Sequence, residues 1–150
     1  MITDALLLLS NAQAVTATAV STNTIDLSVN RDVGPGESVE VDVTVDVTAT
    51  AAGAATVNFQ VISSAASNLS SPAIVAQTDA IPIANLTAGR KPIRIRISPH
   101  VLNALPIGQR FLGLQYTVGT GPLTAGSFTA QIVHTGQDVG KNYPSGYTVF

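Results

Sequence analysis

From Ser38 to Thr48 apolar and polar residues alternate without a break. Val39, Val41, Val43, Val45 and Val47 interleave with Ser38, Glu40, Asp42, Thr44, Asp46 and Thr48. A period of two predicts a β-strand with one core face and one wet face. A slip by one residue would turn three carboxylates inward, each costing several kcal/mol if unpaired, so the register is strongly specified.

The same period recurs at Thr56 to Ile62 with Val57, Phe59 and Val61 on one face, and at Pro92 to Ser98 with Ile93, Ile95 and Ile97. It recurs again at Arg110 to Val118 with Leu112, Leu114, Tyr116 and Val118, and at Ser127 to His134 with Phe128, Ala130 and Ile132. Weaker segments at Val15 to Val20, Thr24 to Val29, Ala73 to Gln77 and Ile81 to Leu86 bring the expected strands to nine. Breakers separate them, among them Gly34-Pro35-Gly36, Ser71-Pro72, Gly89 and Gly119-Thr120-Gly121-Pro122. Short strands at regular spacing, with no amphipathic segment of helix length between them, predict an all-β fold. The expected architecture is one domain over residues 1–150, a jelly-roll-like antiparallel β-sandwich of eight or nine strands.

Composition agrees: Val, Ile and Thr make up 45 of the 150 residues, and these β-branched types favour pleated sheets over helices. Charged residues are only 11%, against about 25% in an average soluble domain. Thr and Ser, 29 residues together, can wet the surface in place of ions. The net charge of -2 excludes a strongly basic nucleic-acid binder, and the absence of Cys excludes disulfides, thiolate nucleophiles and zinc ribbons. Three intervals lack any charge, Ala5 to Ile25, Val47 to Thr78 and Phe111 to Gln137, yet hydroxyls and amides interrupt each too often for a membrane-spanning helix. The run Ala5 to Leu9 before Ala12-Gln13-Ala14 resembles a secretory signal, but Asp4 stands where positive charge is required and five apolar residues are too few.

Little in the chain points to chemistry. His100 and His134 have no metal-like spacing and read as surface or rim residues, no Gly-x-Ser-x-Gly elbow is present, and no glycine-rich turn opens a helix that could cradle phosphate. No catalytic residue, cofactor or metal is expected.

The charges are segregated. Asp32, Glu37, Glu40, Asp42 and Asp46 are five of nine acids, and Arg90, Lys91, Arg94 and Arg96 are four of seven bases. Two readings stay open: the strands bearing Glu40/Asp42 and Arg94/Arg96 are neighbours whose outer faces pair, or the basic stripe docks a charged partner. Ile62 and Val133, apolar at outward positions, suggest faces that are covered on assembly. Leu6, Leu7, Leu8 and Leu9, within the segment 1–12, and Tyr143, Tyr147 and Phe150, within 138–150, are candidate partner-contact arms. The other reading of each arm is that it covers the sandwich's own core.

The chain also resembles a known family, the capsid cement (decoration) proteins of short-tailed bacteriophages. The resemblance runs through Ser10-Asn11-Ala12-Gln13-Ala14-Val15 as far as Asn23, Ile25-Asp26-Leu27, and Arg31-Asp32-Val33-Gly34 with Gly36-Glu37. It continues at Ser70-Ser71-Pro72, Ala80-Ile81-Pro82-Ile83, Tyr116-Thr117-Val118 through Gly126, and Tyr143-Pro144-Ser145-Gly146-Tyr147. The stretch Ser98 to Gln109 departs from the shorter turn expected there. The resemblance implies a jelly-roll-like sandwich and a non-enzymatic virion protein on the outer surface of the capsid. Its implied partners are the major capsid protein of a tailed phage and itself, as a homo-oligomer expected to be a dimer, with no direct nucleic-acid or membrane contact. A secreted or surface β-sandwich that binds carbohydrate is the alternative, although Trp is absent and aromatics are 5%.

Overall fold

The computed structural model describes residues 4–27, 39–98, 100–101 and 109–134, with His134 described by its backbone alone. Among the described residues ten strands form two antiparallel sheets. Sheet A is ordered β1 (Leu8–Ala14), β10 (Ala125–His134), β4 (Val39–Thr50), β8 (Ile93–Ile97). Sheet B centres on β9 (Phe111–Gly119) and β5 (Thr56–Ser64). Two short strands, β2 (Ala19–Val20) and β3 (Ile25–Asp26), share one flank of β9, while β6 (Ala73–Gln77) and β7 (Ile81–Pro82) share the far flank of β5. If each short pair is counted as one interrupted strand, the order is that of an eight-position jelly roll.

Three of the alternating segments bury their apolar faces as predicted. Val57, Phe59 and Val61 of β5, Ile93, Ile95 and Ile97 of β8, and Leu112, Leu114 and Tyr116 of β9 are all buried between the sheets. At the centre Phe59 meets Tyr116 and Phe128 edge-on, at centroid distances of 5.8 and 5.3 Å. Tyr116 and Phe128 stack at 5.6 Å. Such pairs add roughly 0.5–1.5 kcal/mol beyond the area they bury.

Three expectations are corrected. A strand precedes the first one expected: β1 is Leu8–Ala14, and of Val15 to Val20 only Ala19–Val20 forms a strand. Register shifts lie on both sides of Ser10 and Ala12 has φ 44°, so no period of two survives to be read in the sequence. Val47, expected in the core, is 50% exposed. Here β10 steps once, from Phe128 to Ser127, while β4 steps twice, from Val45 to Val47, and this bulge turns Val47 outward. A second shift, between Ser127 and Ala125 where Gly126 has φ 153°, returns Ala49 to the core. Finally, Ile62 and Val133 are already buried within the chain, at 0% and 7% exposure. Leu69, itself buried, packs its Cδ1 on the outer side of sheet B at Gly113, the residue paired with Ile62.

The edge at β1 is sealed by the chain itself. Asn23 donates its backbone N–H to the carbonyl of Leu9 at 2.9 Å and its Nδ2 to that of Leu8 at 3.0 Å. Gln13 donates Nε2 to the Val20 carbonyl at 2.8 Å. This is one way a sandwich protects an edge from pairing with other chains.

Candidate interaction surface

The register of β4 against β8 decides how the segregated charges meet. Glu40 lies directly opposite Arg96, and Asp42 opposite Arg94. Because Val41 and Val43 face the core with Ile95 and Ile93, all four charged side chains share the outer face of sheet A. Arg96 donates Nε and Nη2 to Glu40 Oε1 at 3.3 and 3.2 Å. Arg94 sets Nε 3.3 Å from Asp42 Oδ1 and Nη1 4.0 Å from Glu40 Oε2. The first of the two sequence readings, cross-strand pairing, is therefore realised.

The pairing is layered rather than side by side, and the wet face expected of β4 is not wet here. The side chains of Glu40 and Asp42 are 9% and 0% exposed, whereas Arg94 and Arg96 are 38% and 66% exposed. Position in the sheet explains the burial. β4 is an interior strand, with Gln131 and Val133 of β10, themselves buried, opposite Asp42 and Glu40 on the other side. The long arginine stems lie over the short acids and keep their heads toward water.

Asp42 is the strained member. Neither of its carboxylate oxygens has a well-aligned hydrogen-bond donor among the described residues, so it rests on Arg94, whose Nε lies 3.3 Å from Oδ1. Burial raises its pKa from the ordinary 3.8, outweighing the attraction of Arg94, and the neighbouring Glu40 adds to the rise.

The rest of the predicted stripe does not join this cluster. Arg90 turns back onto the one-turn 3-10 segment Ile83–Asn85, where its Nη1 donates to the Asn85 carbonyl. Lys91 stands exposed just before β8. Arg110 is engaged elsewhere, pairing with Asp26 at 2.5 Å and lying 4.8 Å over the ring of Phe111. Further along sheet A the face turns from cations to hydroxyls. The Ala12 N–H donates to Thr129 Oγ1 at 2.9 Å, and Thr129 donates to Asp46 Oδ2 at 2.7 Å.

Sheet B presents a different outer face. Gln60 donates to Gln77 at 2.7 Å and accepts from Thr117 at 2.8 Å, while Thr78 donates to Asn58 at 3.3 Å. This ladder is polar and uncharged. Sequence reading did not find it, because it depends on which strands are neighbours.

The candidate arms divide. Leu9 is fully buried and belongs to the core, so the covering reading is correct for it, and Leu8 is a half-buried residue of β1. Leu6 and Leu7 are 83% and 36% exposed on the one-turn segment Ala5–Leu7, whose start is held by Asp4 Oδ1 accepting from the Leu6 N–H at 2.9 Å. Tyr143, Tyr147 and Phe150 lie outside the described residues, as do Asp32 and Glu37. His100 is exposed, and His134 closes β10. Among the described residues no three of His, Cys, Asp and Glu are grouped to hold a metal ion, and no helix is long and apolar enough to cross a membrane.

The model of one protein family, Bbp16, matches residues 9–132. The chain belongs to the Bbp16 family. The Bbp16 match runs from Leu9 in the core of β1 to Ile132 in β10, and so contains Glu40, Asp42, Arg94 and Arg96. No curated protein matches the chain.

Proposed function

We propose that the protein is a virion structural protein, a capsid cement or decoration protein. It oligomerises on the outer surface of a tailed phage head, as a dimer, and bridges subunits of the major capsid protein. The observation that carries this reading is the outer face of sheet A, where arginines are held by hydrogen bonds and ion pairs over buried acids. Such a face is preorganised for contact, with its side chains ordered before any partner arrives. Support also comes from the resemblance to phage cement proteins, whose segments Ser10 to Asn23 and Tyr116 to Gly126 build β1, β2 and the β9–β10 turn. Membership of the Bbp16 family is consistent with it.

A cement protein requires area rather than a reactive group. An interface of roughly 800 Å² per partner, repeated over a lattice, sums modest contacts into a stable shell. A protein that binds the assembled shell but not free subunits favours the closed particle by mass action. The exposed Leu6 and Leu7 supply apolar contact area for a neighbour.

The test is co-sedimentation of the purified protein with empty shells of its own virus, followed by cryo-electron microscopy. Stoichiometric, symmetry-related density on the shell exterior is the expected result. A free monomer that leaves the shells bare would end this reading and bring forward carbohydrate binding, checked by retention on glycan resin.

A further inference from the structure

The layering on sheet A has a consequence for what this face can bind. Each arginine is electrostatically matched to a carboxylate, yet the carboxylates lie beneath and the guanidinium groups face solvent. Charge close to the surface acts on a partner more strongly than charge buried below it. The described charges are otherwise level, with Lys91 exposed two residues before β8 and Asp46 exposed on β4. Arg96 uses Nε and Nη2 on a single oxygen of Glu40, and a guanidinium carries five N–H donors.

We propose that the Arg94–Arg96 face of sheet A is a docking surface for an acidic protein segment, and, resting on the cement reading, that this segment belongs to the shell subunit. The two arginines sit at i and i+2 on one strand, ~6.6–6.8 Å apart along it. Carboxylates at i and i+2 of an extended acidic segment have that same spacing, and carboxylates are the favoured partners of guanidinium groups. A nucleic-acid backbone fits less well. Exposed Asp46 stands on the interior strand of this sheet, two carboxylates lie under the arginines, and of the described aromatics Phe59, Tyr116 and Phe128 are buried in the core while half-buried Phe111 belongs to sheet B.

The acids under the arginines give the proposal an unusual signature. Removing an arginine should weaken docking, and removing the buried charge beneath it should strengthen docking. Arg96→Gln and Glu40→Gln test the two directions. Lys91→Gln is the third variant, because it is exposed and alters no buried pair. Reversing both arginines is not informative, since it would leave Asp42 buried without its cation.

Binding is measured to immobilised poly-glutamate, to duplex DNA and to empty shells of the protein's own virus across a salt series, with thermal melts confirming that each variant is folded. The expected result is salt-sensitive binding to poly-glutamate, weakened roughly two- to fivefold by Arg96→Gln and by Lys91→Gln. Glu40→Gln should tighten it by a similar factor, and shell occupancy should follow the same order. Shells that bind all three variants equally at every salt concentration would overturn the docking surface while leaving the cement reading intact. The expected order on poly-glutamate with bare shells would remove the cement reading and keep the acidic-segment surface. Stronger retention on DNA than on poly-glutamate, with the same dependence on Arg96, would replace the proposal with a nucleic-acid partner.

Discussion

Tyr116 of β9 donates its hydroxyl to Oγ of Ser10 on β1 at 2.7 Å, joining the two sheets through the core. Ser10 passes the chain on, donating to Gln13 Oε1 at 2.9 Å, which also accepts the Thr22 N–H at 3.0 Å. A polar group at the centre of the aromatic cluster is thus satisfied, and the irregular β1 is tied to the regular β9.

Removing that hydroxyl tests the tie. Tyr116→Phe preserves the ring packing and leaves Ser10 its bond to Gln13, so the expected loss is about 1 kcal/mol in denaturant unfolding. Burial pushes the Tyr116 phenol from 10.0 up to about 12, so the folded state keeps a proton that the unfolded state releases. Stability should therefore fall as pH rises from about 10 to about 12. The phenylalanine variant should lack that part of the alkaline loss.

Gly113 makes room for Leu69. A Cβ there would stand 2.3 Å from Leu69 Cδ1 and 3.1 Å from Ser21 Oγ, whose hydroxyl accepts the Leu114 N–H. Gly113→Ala should destabilise by about 1–3 kcal/mol through overpacking. Adding Leu69→Ala should recover part of the loss, so that a double-mutant cycle gives a coupling well above experimental error. Strict additivity would show that the two residues do not compete for this space.

Val45 and Val47 look equivalent in the sequence and should not behave so. Val45→Thr places a hydroxyl in the dry core and should cost roughly 1–3 kcal/mol. Val47→Thr, on a half-exposed residue, should stay within about 0.5 kcal/mol of the parent. Equal losses in chemical denaturation would contradict the bulge at Ser127 and Phe128.

Asp42 carries a pH signature of the opposite kind from a well-paired carboxylate. Its folded pKa is raised above 3.8, so the unfolded state ionises first as pH rises. Its ionisation therefore opposes folding above that window, and the penalty is relieved as pH falls through the raised folded value. Asp42→Asn is expected to melt at or above the parent temperature at pH 7. Its advantage should shrink toward pH 4. An advantage that grew on acidification would show that the Arg94 pairing, not burial, dominates this carboxylate.

The all-β class, the cores of β5, β8 and β9 and the antiparallel sandwich were legible in the sequence alone. Alternation with a period of two is a local consequence of the pleat, and Val57-Phe59-Val61 or Ile93-Ile95-Ile97 has only one way to bury its apolar side. The segregation of Glu40 and Asp42 from Arg94 and Arg96 was legible too, but not its meaning. That the acids lie beneath and the arginines above depends on β4 being interior and β8 outermost in sheet A, which no single segment encodes. Likewise β1 and Val47 escaped the pattern because bulges are settled between paired strands, and Ile62 and Val133 found cover within the chain. Local periodicity determined which residues turn inward along a regular strand. Tertiary pairing decided where that periodicity breaks and which charges reach the surface, because both depend on contacts between residues distant in sequence.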